Sequence, residues 1–91
     1  MPYTEDALAM AECYYRLKDY GKADDIVTNL LERSAEWLSC YKSLEKHGMS
    51  ISQFQRDSWF RTMQNALITA NNNQRTKVLN KYIKSYEDYI K

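Results

Sequence analysis

The chain has 91 residues, enough for one small domain, and its 13 basic and 12 acidic residues give a formal net charge of +1. This balance lacks the basic surplus of a dedicated nucleic-acid-binding protein, so we predict no nucleic-acid partner. No apolar run reaches the roughly 18 residues that a membrane-spanning helix needs, and the first residues do not resemble a signal peptide, so we predict a soluble fragment.

Two long helices are predicted for the first half of the chain, because only two Gly and one Pro interrupt the whole sequence. The first helix runs from about Glu5 to Lys18, with acidic residues at its start and basic residues at its end. The second begins near Gly21 and keeps apolar residues at helical spacing as far as about Lys46. Gly48 is predicted to end it as a left-handed cap.

Two further helices are predicted for the second half. Ser50 and Gln53 form the pattern of a capping box, which opens a third helix that runs to about Ala70. Residues 71–73 are three successive Asn, which favour a turn. A fourth helix follows, and its apolar seam extends to the end of the chain: Val78, Leu79, Tyr82, Ile83, Tyr86, Tyr89 and Ile90. Such an apolar end indicates docking, either on the body of the chain or on something else.

These elements predict an all-α fold of four antiparallel helices in two hairpins, within a single domain of residues 1–91. The first hairpin takes residues 5–46 and the second takes residues 50–91. An alignment that places Met10 opposite Met63 and Leu17 opposite Ala70 sets mostly apolar residues against apolar ones. The second hairpin is therefore predicted to be a degenerate copy of the first.

The residue types that carry chemistry predict no catalytic, metal or cofactor site. Cys13 and Cys40 lack the spacing of a metal site and are predicted to be buried thiols. His47 is the single histidine, and with Cys40 it would supply two of the four ligands of a structural zinc site, so we predict that it faces water. The acidic residues of the second helix are predicted to form its solvated face: Asp24, Asp25, Glu32 and Glu36.

Two surface features go beyond an ordinary solvated face. Four basic residues follow the Asn turn without an acidic residue among them: Arg75, Lys77, Lys81 and Lys84. The three lysines are spaced i, i+4, i+7, so this basic stripe is either a solvated face or a weak aid to docking on anionic headgroups. Several aromatic residues exceed the needs of a small core, and some are predicted to line a groove or a dimer contact: Tyr15, Trp37, Tyr41, Trp59, Tyr86 and Tyr89.

The stretch ALAMAECYYRLKDYGKADDIVTNLL, residues 7–31, resembles a tetratricopeptide repeat. Four residues carry the resemblance: Ala11, Tyr14, Tyr20 and Ala23. It implies a helix-turn-helix unit in which the two alanines allow close crossing and the turn aromatic closes the hairpin. Three features depart from the pattern: Ala7 stands where a large aromatic is usual, Lys18 replaces the turn Gly, and no Pro ends the second helix.

A longer resemblance covers nearly the whole chain. Four short motifs carry it: Pro2-Tyr3, Cys13-Tyr14-Tyr15, Lys22-Ala23 and Tyr41-Lys42-Ser43-Leu44. They are similar to the extreme C-terminal region of a family of bacterial multi-pass membrane proteins of unknown function, whose membrane portion is similar to protein O-mannosyltransferases. The resemblance implies that this chain is a tail attached, in a parent protein, to a membrane whose side is not indicated. Any catalytic apparatus would lie outside these 91 residues.

Two functions from different classes are predicted. The first is a non-catalytic interaction module, with a groove from the first and third helices that holds a protein or peptide. Its candidate residues are Glu12, Tyr15, Arg16, Trp59 and Gln64. The alternative is an architectural tail, which packs on its own membrane portion or homodimerises through the seam of Tyr82, Tyr86 and Ile90. The module predicts a monomer, and the tail predicts self-association.

Overall fold

The computed structural model describes the backbone of residues 4–90 and the side chains of residues 4–89. It contains four α-helices: α1 (Thr4–Arg16), α2 (Tyr20–Lys46), α3 (Gln53–Asn72) and α4 (Thr76–Ile90). No strand occurs among residues 4–90, so the predicted all-α class is confirmed. The Pro2-Tyr3 motif and the Ile90 side chain lie outside the described residues.

The first three helices all end in the same backbone motif. Lys18, Gly48 and Gln74 have positive φ angles of 61°, 80° and 60°. The amide of each donates to a carbonyl three residues earlier, and the next amide donates five residues back, as from Asp19 to Tyr14. This is the Schellman arrangement, which satisfies carbonyls left open at a helix end. The predicted left-handed cap at Gly48 is confirmed, and Lys18 holds the left-handed position without being Gly.

Side chains cap the starts of α2 and α3. The Asp19 carboxylate accepts a hydrogen bond from the backbone N–H of Lys22, at 3.3 Å. The Ser52 hydroxyl accepts one from the backbone N–H of Gln55, at 3.5 Å. The predicted capping box at Ser50 is therefore wrong by two residues, because Ser50 precedes the extended residue that leads into α3.

The helices form two antiparallel hairpins, α1–α2 and α3–α4, each closed by a three-residue turn. Helix α3 packs along α2 and also contacts α1, so it seats against the first hairpin. One core joins all four helices: Ala11, Tyr15, Ala23, Val27, Leu30, Leu31, Leu38, Met63, Ala66, Leu67, Ala70 and Tyr82. Both alanines assigned to the helix crossing, Ala11 and Ala23, are fully buried, which permits the close approach of α1 and α2.

The far half of α2 supports the start of α3. The rings of Trp37 and Trp59 stack with centroids 5.7 Å apart, and Arg56 forms an ion pair with Glu45. Helix α2 is longer than α1 because its C-terminal half extends past α1 and packs against α3. The Cα atoms of the described chain extend 47 × 26 × 15 Å, so the domain is a thin layer with broad exposed faces.

The two hairpins share a common register that differs from the sequence alignment. Helix α1 ends at Arg16 and α3 at Asn72, and the left-handed residues of the two turns are Lys18 and Gln74. These pairs place Leu17 opposite Asn73, not opposite Ala70 as the alignment has it. The alignment was one helical turn off, because helical periodicity alone scores neighbouring turns almost equally.

Candidate functional site

An open groove runs between α3 and α4 on the side away from the first hairpin. It encloses about 460 Å³ and is lined by Gln64, Leu67, Ile68, Asn71, Leu79, Asn80, Ile83 and Tyr86. Within it, Ile68 is 50% exposed and Ile83 is 37% exposed. The lining comes from residues three and four apart on two adjacent helices, so it forms a continuous strip along both. An exposed apolar strip of this kind is typical of a surface that packs against protein.

The lining of this α3–α4 groove carries no charged side chain. Its polar groups are amides and a phenol, and the Gln64 amide donates to the Tyr86 hydroxyl at 3.3 Å. The Tyr86 ring also packs on Phe60, with centroids 5.2 Å apart, which fixes one end of the groove. An apolar strip with neutral hydrogen-bonding groups suits the apolar face of a helix.

Tyr15, predicted to line a partner groove, lies in the core and is 5% exposed. Its hydroxyl donates to the Asp24 carboxylate at 2.7 Å, so the polar end of the ring is satisfied inside the domain. Tyr15 therefore does not line an open groove. The Glu12 carboxylate also has a partner inside the domain, since it accepts a hydrogen bond from the Asn73 side-chain amide at 2.9 Å and joins α1 to the C-cap of α3.

The other three predicted groove residues lie at separate places. Arg16 is exposed at the end of α1, and Trp59 is half-buried in its stack on Trp37. Only Gln64 lines the α3–α4 groove. The structure therefore does not bring the five predicted residues together. The groove that the structure does show lies between α3 and α4, and α4 contributes half of its lining residues.

A polar network at the turn of the second hairpin was missed by the sequence prediction. Arg75 donates two hydrogen bonds to Asp24, at 2.9 and 2.6 Å. These bonds hold the pKa of Asp24 below its usual value, although partial burial opposes this effect. Burial, and then the bond to Asp24, raise the pKa of Tyr15 well above its ordinary value. The prediction that Asp24 belongs to a solvated face is wrong, because it is the acceptor that joins three elements.

The three lysines of the predicted basic stripe have different environments. The Lys81 ammonium lies 4.0 Å from the Glu32 carboxylate and 5.3 Å from the centroid of the Tyr82 ring. Lys77 and Lys84 are exposed, and no ion pair to either is formed within the described residues. The three lysines therefore do not form one free surface, since Lys81 leans toward α2.

The apolar seam of α4 docks on the body of the domain. The Tyr82 hydroxyl donates to Glu32 at 2.7 Å, and the Tyr89 hydroxyl donates to the carbonyl of Ala35 at 3.1 Å. Burial, and then the bond to Glu32, raise the pKa of Tyr82 to about 12. The proposed dimer seam is thus used internally at Tyr82, and Tyr86 is half-buried against α3.

The remaining candidates for chemistry are on the surface. Cys13 and Cys40 are both exposed, so the prediction of buried thiols is wrong. The His47 ring is exposed and lies 2.8 Å from the carbonyl of Ser43. Within residues 4–90, no group of three or more His, Cys, Asp or Glu is placed to hold a metal ion.

Among the residues that the structure describes, no helix is both long and apolar enough to cross a membrane. No model of a known protein family matches the chain, and no curated protein or solved structure shows significant similarity to it.

Proposed function

We propose that this chain is a non-catalytic protein–protein interaction module, and that its α3–α4 groove binds the apolar face of a helix. The observation that carries this proposal is the uncharged, apolar strip of the groove, with Ile68 and Ile83 left open between two packed helices. A helix laid along this strip would bury both side chains, each stabilising the complex by about 1 kcal/mol for its remaining exposed area.

The arrangement of the hairpins supports a tetratricopeptide-like interpretation of the module. Ala11 and Ala23 are buried at the crossing of α1 and α2, and the Tyr20 ring covers the turn beside Tyr15, with centroids 6.3 Å apart. Arrays of helical hairpins present extended surfaces to protein partners, which is the use proposed for this chain. We retain as part of the proposal that the module is the tail of a larger bacterial membrane protein.

The alternative of an architectural tail has fewer free surfaces available than the sequence indicated. Tyr82 and Tyr89 are engaged with α2, so a contact through the seam of α4 would first have to break internal hydrogen bonds. Packing on a membrane portion would then use the same α3–α4 groove as a partner helix.

The groove is tested with a display library of amphipathic helical peptides, selected against the whole chain. We expect the selected peptides to carry apolar residues at i, i+3 and i+7, and to lose at least tenfold in affinity on Ile68→Arg or Ile83→Arg. Met49→Arg is the matched control, because Met49 is 55% exposed, similar to Ile68, and lies outside the groove in the connection between the two hairpins. A library that yields no binder, or binders insensitive to both groove substitutions, would refute the proposal.

A further inference from the structure

In the common register of the two hairpins, residues 4–34 of the first correspond to residues 60–90 of the second, whereas residues 36–46 of α2 have no counterpart. In the first hairpin, Glu12 and Asp24 are the residues that hold the second hairpin, through Asn73 and Arg75. Counted from Lys18 and Gln74, their counterparts are Ile68 and Asn80, and both of these line the α3–α4 groove. The groove is therefore the counterpart of the surface that α3 covers on the first hairpin.

The face of α3 that packs against the first hairpin also has a counterpart. We assign to this face Thr62, Ala66 and Thr69, which are buried, and the C-cap residue Asn73, which is half-buried and donates a hydrogen bond to Glu12. In the same register the corresponding residues are Asp6, Met10 and Cys13 of α1 and Leu17 of the turn, and all four are exposed. Met10 is 55% exposed and Leu17 is 74% exposed. We call Met10, Cys13 and Leu17 the front face.

The domain thus has two different exposed surfaces, the α3–α4 groove and the front face. They correspond to the two sides of the interface between its own hairpins. Ala66 is fully buried on α3, whereas its counterpart Met10 is open. Val27 is fully buried under α3, whereas its counterpart Ile83 is open. Each of these exposed residues corresponds to a residue that the interface between the hairpins buries. The two exposed surfaces could therefore pack against each other as the two hairpins do.

We propose that the α3–α4 groove of one copy binds the front face of a second copy. The inference rests on the proposed function of the groove and names its occupant. Helix α1 of the second copy takes the place relative to α3–α4 that residues 60–72 of α3 take relative to α1 and the first half of α2. In this arrangement Leu17 of the second copy meets Ile68, as Asn73 meets Glu12 inside the chain, and Asp19 of the second copy meets Asn80.

Apolar contact determines this docking more than charge does. The lining of the groove is uncharged, and the charges at the far end of α4 are mixed, since Lys84 and Glu87 both follow Ile83 within one turn. The exposed acids Glu5 and Asp6 at the start of α1 would lie near that end. Association is therefore expected to persist at moderate salt, where exposed charge pairs are screened.

The two surfaces are different, so the contact is head-to-tail and leaves a free surface at each end of every assembly. Such heterologous contacts add further copies unless the rotation between copies closes a ring. The mass of the wild-type chain is expected to rise past that of a dimer as its concentration increases.

Two variants test the pairing, measured by sedimentation velocity and light scattering from micromolar to millimolar chain. Leu17→Arg blocks the front face and leaves the groove, whereas Ile68→Arg blocks the groove and leaves the front face. We expect each variant alone to be a monomer and an equimolar mixture to form a heterodimer. Both replaced side chains are at least half exposed, so circular dichroism and thermal unfolding should show folded variants.

The two thiols supply an internal control on the wild-type chain. Cys13 belongs to the front face, whereas Cys40 lies on α2 outside both surfaces, beside Trp37 and Glu36. Alkylation followed by mass spectrometry should show Cys13 reacting more slowly as the chain concentration rises, with Cys40 unchanged.

Three results would overturn the head-to-tail contact. These are a wild-type chain that stays monomeric at millimolar concentration, an assembly that stops at a dimer which either variant can still form, and variants that do not associate when mixed. If the monomeric chain still binds selected helical peptides in the groove, only the identity of the occupant fails. If it binds no peptide either, the proposed function fails with it.

Discussion

The Asp24 carboxylate accepts two hydrogen bonds from the Arg75 guanidinium, at 2.9 and 2.6 Å, and thereby joins the N-terminal part of α2 to the residue before α4. The Tyr15 hydroxyl donates to the same carboxylate at 2.7 Å. The Asp24 and Arg75 side chains are 24% and 28% exposed, so water only partly screens their attraction. This network holds the turn of the second hairpin against the first hairpin.

We predict that Asp24→Asn lowers the free energy of unfolding by about 2 kcal/mol at neutral pH. The substitution keeps the size of the side chain but removes the charge that Arg75 pairs with, and bonds to charged groups contribute about 1.5–3 kcal/mol. The matched control is Asp25→Asn, because the neighbouring carboxylate is exposed and should cost less than about 0.5 kcal/mol. Urea denaturation followed by circular dichroism measures both, and equal effects would contradict the role given to Asp24.

The contribution of Asp24 should depend on pH in the acid range. Its pKa in the folded state lies below the ordinary value of 3.8, mainly because of Arg75, so folding favours the ionised form. The stabilisation is fully present above that ordinary value and is lost as the pH falls through the folded pKa. The difference in unfolding free energy between wild type and Asp24→Asn should therefore shrink as the pH is lowered from 7 toward 2. A difference that stays constant with pH would show that charge is not its source.

At alkaline pH the corresponding group is Tyr82. Burial, and then the bond to Glu32, raise its pKa from 10.0 to about 12, so folding favours the neutral phenol. Its contribution is fully present below pH 10 and is lost as the pH rises toward 12. Tyr82→Phe should cost about 1 kcal/mol at pH 7 through the lost hydrogen bond, and should remove part of this alkaline loss.

An ultraviolet titration of phenolate absorbance tests the same residue. The difference between the wild-type and Tyr82→Phe curves should show an ionisation well above pH 10. Tyr20→Phe is the control for stability, because the Tyr20 ring is exposed, and it should change the free energy of unfolding by less than about 0.5 kcal/mol. A Tyr82 ionisation near the ordinary value would mean that the hydroxyl is not held by Glu32.

The extent to which sequence predicted the fold follows from the range of each interaction. Helical spacing of apolar residues and the left-handed cap at Gly48 act within a few residues, so the four helices and their approximate ends could be predicted. The partners of Asp24 could not, because Arg75 is 51 residues away and both look like ordinary surface charges in the sequence. The error at Ser50 has a local cause, since Ser50 and Ser52 both fit a cap pattern and packing selects one.

The candidate groove was harder to predict than the fold, for a tertiary reason. The sequence indicates which faces of a helix are apolar but not which apolar face another helix covers. Tyr15 and Ile83 both belong to apolar stripes, yet Tyr15 is enclosed and bonded to Asp24 while Ile83 stays open. Only the seating of α3 on the first hairpin decides this difference, and it leaves the α3–α4 groove uncovered.

The exposure of both cysteines leads to a direct chemical prediction. Cys13 and Cys40 are free and exposed, so a small disulfide reagent should titrate two thiols per chain without denaturant at micromolar protein. Cys13→Ser and Cys40→Ser should each leave one reactive thiol and should each change the unfolding free energy by less than about 0.5 kcal/mol. Thiols that react only after denaturation would instead support the buried positions expected from sequence.

The turn between α3 and α4 offers a stabilising substitution. Gln74 holds φ at 60°, a left-handed conformation that costs an L-residue about 1 kcal/mol and that Gly adopts readily. Gln74→Gly should therefore raise the unfolding free energy by roughly 0.5–1 kcal/mol. The matched control is Lys84→Gly, because Lys84 is also exposed but lies in the interior of α4, where Gly should lower stability by about 1 kcal/mol. Thermal and urea unfolding of both variants measure the effects. If both lower the stability, the turn does not hold the left-handed residue at Gln74.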